Sequence, residues 1–179
     1  MSSLTSLGVM HTVISLVTVA SGIVALLRDK EILSRTLPGG LYVGGTVLTC
    51  VTALFIFQHG GFGPPHALAL ITLVTLAFAG LAEPSGLFGR AAHYVRAVAY
   101  SATLFFHSVP AVIEGTTRLP PSSPLFATQD DPHLQALTGV LFVLFLIGAA
   151  FQVRALRRRD QDGLWPTRSV QWPAELPRR

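Results

Sequence analysis

Six histidines carry most of the chemistry open to this chain, and five of them, His11, His59, His66, His107 and His133, fall at the same ends of its apolar segments. Imidazole is a common ligand for zinc, copper, nickel and haem iron, so two helix-borne rings at one depth would clamp a metal or a haem. His11 and His107 are the pair that spacing singles out. His11, Ser15, Thr18 and Gly22 recur at i, i+4, i+7 and i+11 and so share one helical stripe. His93, Arg96, Tyr100, Thr103, His107, Pro110 and Glu114 recur every three or four residues, which places all of them on one polar arc. Lipid does not tolerate such an arc, so it must face a bundle interior or a water-filled cavity.

A metal set would draw on His11, His107 and Glu114, with Asp130 and Asp131 close by in the chain, and His66 and His133 are candidate second ligands. Tyr100 and Arg96 complete the candidate contacts to a ligand, Arg96 with His93 suiting an anionic headgroup or a quinone. Two blander readings stand beside these. His66 and His133 also suit simple boundary positions, and Arg96 could snorkel to the nearer interface. Pro110 removes a backbone donor and frees the carbonyl of Phe106, so a kink or hydrated pocket is expected beside His107.

Soluble-enzyme signatures are missing: the chain has no H-E-x-x-H, C-x-x-C, G-x-S-x-G or phosphate-loop pattern. Its single cysteine, Cys50, allows neither an internal disulfide nor a thiolate cluster. With 50% hydrophobic and 12% charged residues in 179, the composition lies outside the soluble range. The formal charge of +4 does not point to a nucleic-acid partner, because the basic residues gather at segment ends rather than on a folded face.

Those residues must therefore be positioned by membrane helices. Five apolar stretches, about 5–27, 40–58, 65–82, 92–113 and 134–153, are each long enough to cross about 30 Å of hydrocarbon. Lacking dyad alternation they predict helices, not a barrel, so the expected fold class is an all-α membrane bundle of five transmembrane helices. Residues 1–159 form that domain, and the proline-rich tail 160–179 is expected to be disordered and cytoplasmic. With alternating spans, twelve of the thirteen Lys and Arg residues fall on one side, Arg118 being the exception. The positive-inside rule makes that side the cytoplasm and puts the N-terminus outside, the C-terminus inside. Spans two, three and five supply packing: Gly40 with Gly44, and Gly139 and Gly148, are expected at close approaches, and Thr46, Thr49, Thr72 and Thr75 at interhelical hydrogen bonds. On span four, Val98 and Leu104 are expected to face lipid, and Gln152 at the end of span five is expected at the interface.

The run His11 to Leu27, the basic loop after it and Gly40-Leu41-Tyr42-Val43 together resemble a broad family of bacterial multi-pass membrane proteins of unknown function. The stretch Ala92 to Ser101 is similar to a second pattern of that family, and Phe106 to Ala111 with Thr117 to Pro120 to a block of related proteobacterial proteins. Ser34-Arg35 stands where the family usually carries His-Arg. The resemblance implies a bacterial inner membrane location and a helical fold, and no activity. Two functions are therefore carried forward. One is a bundle that binds a metal, a haem or a lipid-soluble ligand through its outer histidines. The other is a non-catalytic structural or assembly subunit, meeting a membrane-protein partner or a second copy of itself.

Overall fold

A computed structural model describes residues 6–57, 61–82, 88–118 and 122–162. Five α-helices account for the fold: α1 (Ser6–Asp29), α2 (Leu37–Leu54), α3 (Pro64–Leu81), α4 (Ala92–Arg118, entered through a 3₁₀ turn at Gly89–Ala91) and α5 (Pro132–Gln161). All five are long and apolar enough to cross a membrane, and no strand occurs among the described residues. Each expected span corresponds to one helix, although α2 ends at Leu54 and so stops short of the 40–58 expected for span two. The tail from 163 onward, and His59, lie outside the described residues.

Local chemistry sets several helix starts. Thr36 caps α2 by accepting a hydrogen bond from the backbone N–H of Gly39 at 3.3 Å. Prolines occupy the first turns of α2, α3 and α5, where the missing N–H costs nothing. Asp131 caps α5 by accepting from the His133 N–H at 2.8 Å, and that bond holds its carboxyl below the usual range. Lys30, at φ +63°, ends α1 in the left-handed conformation and turns Glu31 and Ile32 inward, where both are buried. Helix α4 runs on through Pro110, which is exposed, for about 40 Å at 1.5 Å per residue.

The first four helices form a closed ring, α1 on α2, α2 on α3, α3 on α4 and α4 back on α1. Helix α5 stands outside it and packs on α4 alone among the helices, through Phe105 against Phe142 and Phe145 at centroid distances of 5.6 and 5.4 Å. None of the most apolar 18-residue stretch of α5 is buried. Inside the ring the core gathers around Ala25, Ile32, Tyr42, Leu76, Ala79, Tyr100 and Leu104.

Close packing rests on glycines other than those expected. A Cβ on Gly45 would collide with Thr18 Oγ1, and one on Gly22 would come within 2.6 Å of the Tyr42 ring, so these two residues let α1 and α2 meet. Gly44, Gly139 and Gly148 face open space instead, and Gly40 meets only the Ser34 carbonyl at 3.2 Å. Two of the threonines also behave differently from expectation. Thr46 and Thr75 each donate to a carbonyl one turn back on their own helix, which satisfies the hydroxyl without a partner helix; Thr72 does the same and also meets Cys50 of α2 as expected. Leu104 is buried rather than lipid-facing, because it lies four residues from Tyr100 and three from His107 and so shares their arc.

Candidate functional site

The polar stripes on α1 and α4 both turn inward. Thr18 and Gly22 are buried, as are Arg96, Tyr100, Thr103 and His107, while His11, His93 and Glu114 are half-buried. Two polar regions result, one toward each end of the ring.

At the histidine end, hydrogen-bond directions fix the chemistry. His11 Nδ1 shares a hydrogen bond of 2.8 Å with Thr52 Oγ1, which also lies 2.8 Å from the Leu48 carbonyl and 3.0 Å from the Thr49 carbonyl. Thr103 Oγ1 donates to the Tyr100 carbonyl and accepts from the Tyr42 hydroxyl at 2.7 Å. His107 Nδ1 lies 3.0 Å from the Thr103 carbonyl, which can only accept, so the proton sits on Nδ1. The remaining nitrogen, Nε2, is a bare acceptor with no partner, on a residue only 6% exposed. Beside it stands the Tyr42 ring, 6.2 Å away and tilted by 59°. A carbonyl on Nδ1 with Nε2 left open is the arrangement of histidines that ligate metals or accept a ligand's hydrogen.

The other histidines do not join this group. His11 lies within electrostatic range of His107, but no hydrogen bond or ring contact links them. His66 starts α3, where its Nδ1 accepts from the Gly63 N–H at 3.2 Å and its ring stacks on Phe57 at 4.8 Å. His133 is exposed at the start of α5 and bonds Asp131. Among the described residues no three His, Cys, Asp or Glu side chains come together to hold a metal. The set His11, His107 and Glu114 is therefore not assembled as a metal site.

The basic end is built from charge. Glu31, its side chain 6% exposed, accepts from Arg96 Nη2 at 2.8 Å and faces Arg159 Nη1 at 3.7 Å. Arg96 thus neither snorkels nor waits for a headgroup; it neutralises a buried carboxylate. Gln152 Nε2 donates to the Lys30 carbonyl at 3.0 Å, and Ser101 Oγ donates to Gln152 Oε1 at 2.9 Å. These bonds tie α5 to α4 and to the end of α1. An open cleft of about 510 Å³ runs from this cluster along α4 and α5.

Glu31, Tyr42 and Gln152 belong to these two polar regions, and spacing misses them. Glu31 sits among basic loop residues that read as topology signals, and its only sequence signal is a carboxylate in a loop otherwise rich in cations. Tyr42 reads as an ordinary residue of an apolar span until its hydroxyl meets Thr103, 61 positions later. No protein-family model, no curated protein and no solved structure matches this chain.

Proposed function

We propose that this is a multi-pass protein of a bacterial inner membrane, N-terminus outside and C-terminus in the cytoplasm, that binds a lipid-soluble ligand through His107. The orientation is supported by the basic residues gathered beyond α1 and α5. The observation that carries the ligand reading is the buried, unpartnered Nε2 of His107, held in its acceptor tautomer by the Thr103 carbonyl. Leaving such a group unmatched costs about 1–3 kcal/mol, which a ligand hydroxyl or N–H would recover. A ligand of this kind needs an apolar body to enter from the bilayer and one hydrogen-bond donor to be oriented.

A metal or haem between His11 and His107 is a second reading, favoured by one observation. Both rings bond oxygen through Nδ1 and so keep Nε2 for a ligand. The experiment is to purify the full chain in mild detergent, record its visible spectrum and metal content, and extract bound small molecules for mass spectrometry. A stoichiometric organic molecule lost in His107→Ala supports the leading reading. A Soret band or stoichiometric metal supports the second. A colourless, ligand-free protein in which His107→Ala alters only stability overturns both and leaves a structural or assembly subunit that meets a partner or a second copy.

A further inference from the structure

The cleft between α4 and α5 is chemically divided along its length. Its basic end presents Lys30, Glu31, Gln152 and Arg159; its far part is walled by Leu104, Phe105, Leu141 and Phe145. From Gln152 to Leu141 the wall of α5 rises about 16 Å at 1.5 Å per residue, and beyond Gln152 every α5 residue that lines this stretch of the cleft is apolar or glycine. The volume of about 510 Å³ falls within the roughly 300–1,000 Å³ of ordinary ligand sites.

Charge decides what the basic end would accept. Two cations, Arg96 and Arg159, face one carboxylate, Glu31, and a third, Lys30, lines the same end of the cleft. Arg96 lies against Glu31 at 2.8 Å and balances it, whereas Arg159 stands 3.7 Å off with its side chain 46% exposed. Lys30 is exposed as well, with its Nζ donating to the Leu27 carbonyl at 2.9 Å and two hydrogens left over. A surplus of positive charge therefore rims an apolar slot. We propose that the cleft holds one acidic glycerophospholipid, its phosphate on Arg159 and Lys30 and one acyl chain along Phe105, Leu141 and Phe145. Basic pockets between transmembrane helices recognise anionic headgroups by this combination of charge and apolar wall. The site is separate from His107, and the inference does not rest on the histidine reading.

Two substitutions probe the two halves of the slot. Arg159→Gln removes the headgroup cation, and Arg158→Gln removes the same formal charge from the same helical turn outside the cleft. Gly148→Leu fills the apolar part without disturbing the bundle, because Gly148 lines the cleft and a Cβ there meets nothing within 4 Å. The full-length protein, in nanodiscs that mix phosphatidylglycerol with phosphatidylcholine, is transferred to neutral detergent and its retained lipid is counted by native mass spectrometry. The expected result is one retained phosphatidylglycerol, weakened about fivefold by Arg159→Gln, the effect of one basic residue on an anionic headgroup. Arg158→Gln should change it less than about twofold, and Gly148→Leu should displace it with all charges intact. Equal losses from Arg158→Gln and Arg159→Gln would reduce the effect to general surface attraction and overturn the site. So would equal retention of phosphatidylcholine, undiminished lipid in Gly148→Leu, or a dimer that Gly148→Leu dissolves, which would make a second copy the occupant.

Discussion

The two polar ends of the ring solve the same problem differently. At the basic end a carboxylate and a guanidinium are buried together, and each neutralises the other at 2.8 Å. At the histidine end the buried groups are neutral, and most turn back onto their own helices, as Thr103 does to Tyr100 and His107 to Thr103. A charge in a low-dielectric interior must be matched within the protein, whereas a neutral imidazole can keep one nitrogen unmatched at a cost of about 1–3 kcal/mol. The difference separates a clamp from a site: the basic end joins three segments of chain, and the histidine end keeps an unused acceptor.

The largest expected effect breaks the clamp. Arg96→Met leaves Glu31 buried without its main partner and should cost about 3–5 kcal/mol of stability, as for other broken buried pairs. Replacing both residues, Glu31→Leu with Arg96→Met, should recover most of that loss, and thermal unfolding in detergent measures the cycle. If the double variant is as unstable as the single one, the ion pair is not what holds this end together.

Packing between the two ends comes next. Gly45→Ala drives a methyl into Thr18 and should cost about 1–3 kcal/mol, the usual penalty of overpacking. Gly44→Ala, one residue away and open, should stay within about 0.5 kcal/mol. Equal effects at both positions would show that α1 and α2 do not meet where these contacts place them.

A smaller change sharpens the neutral end. Tyr42→Phe removes one hydrogen bond but leaves Thr103 donating to Tyr100, so the loss should be about 0.5–1.5 kcal/mol. Nitrogen NMR of His107 should meanwhile report a protonated Nδ1, and the opposite tautomer would remove the bare acceptor on which the ligand reading depends.

The smallest effect lies outside the membrane, at the cap of α5. The Asp131 carboxyl is depressed by the His133 N–H, so its contribution is present above the unfolded carboxylate pKa and lost as pH falls through the lower folded value. The protection of the His133 amide against exchange, relative to its intrinsic rate at each pH, should therefore fall only in strongly acidic solution, and the change should vanish in Asp131→Ala. An amide with the same protection above and below that range would show that the cap does not form.

How far the sequence could be read differs between the two ends for a physical reason. The arc His93 to Glu114 is a local pattern, and the burial of Arg96, Tyr100, Thr103 and His107 follows from 3.6 residues per turn with lipid outside. The stripe on α1 follows in the same way. Leu104 is buried against the expectation of a lipid-facing residue, because the face that a neighbouring helix covers is wider than the polar arc. Glu31 and Arg96 are 65 residues apart, and nothing local to either one names the other.

Length, hydropathy and helical period were enough to place five membrane-spanning helices and the inward face of α4, because a helix satisfies its backbone within itself and needs no partner to do so. Which helices touch, at what level and through which glycines depends on how each is rotated and shifted against its neighbours. Only the tertiary structure decided that Gly45 rather than Gly44 meets Thr18, that α5 stands outside the ring, and that Arg96 belongs to Glu31. Those choices rest on side-chain shape and charge pairing across distant segments, which a one-dimensional pattern does not contain.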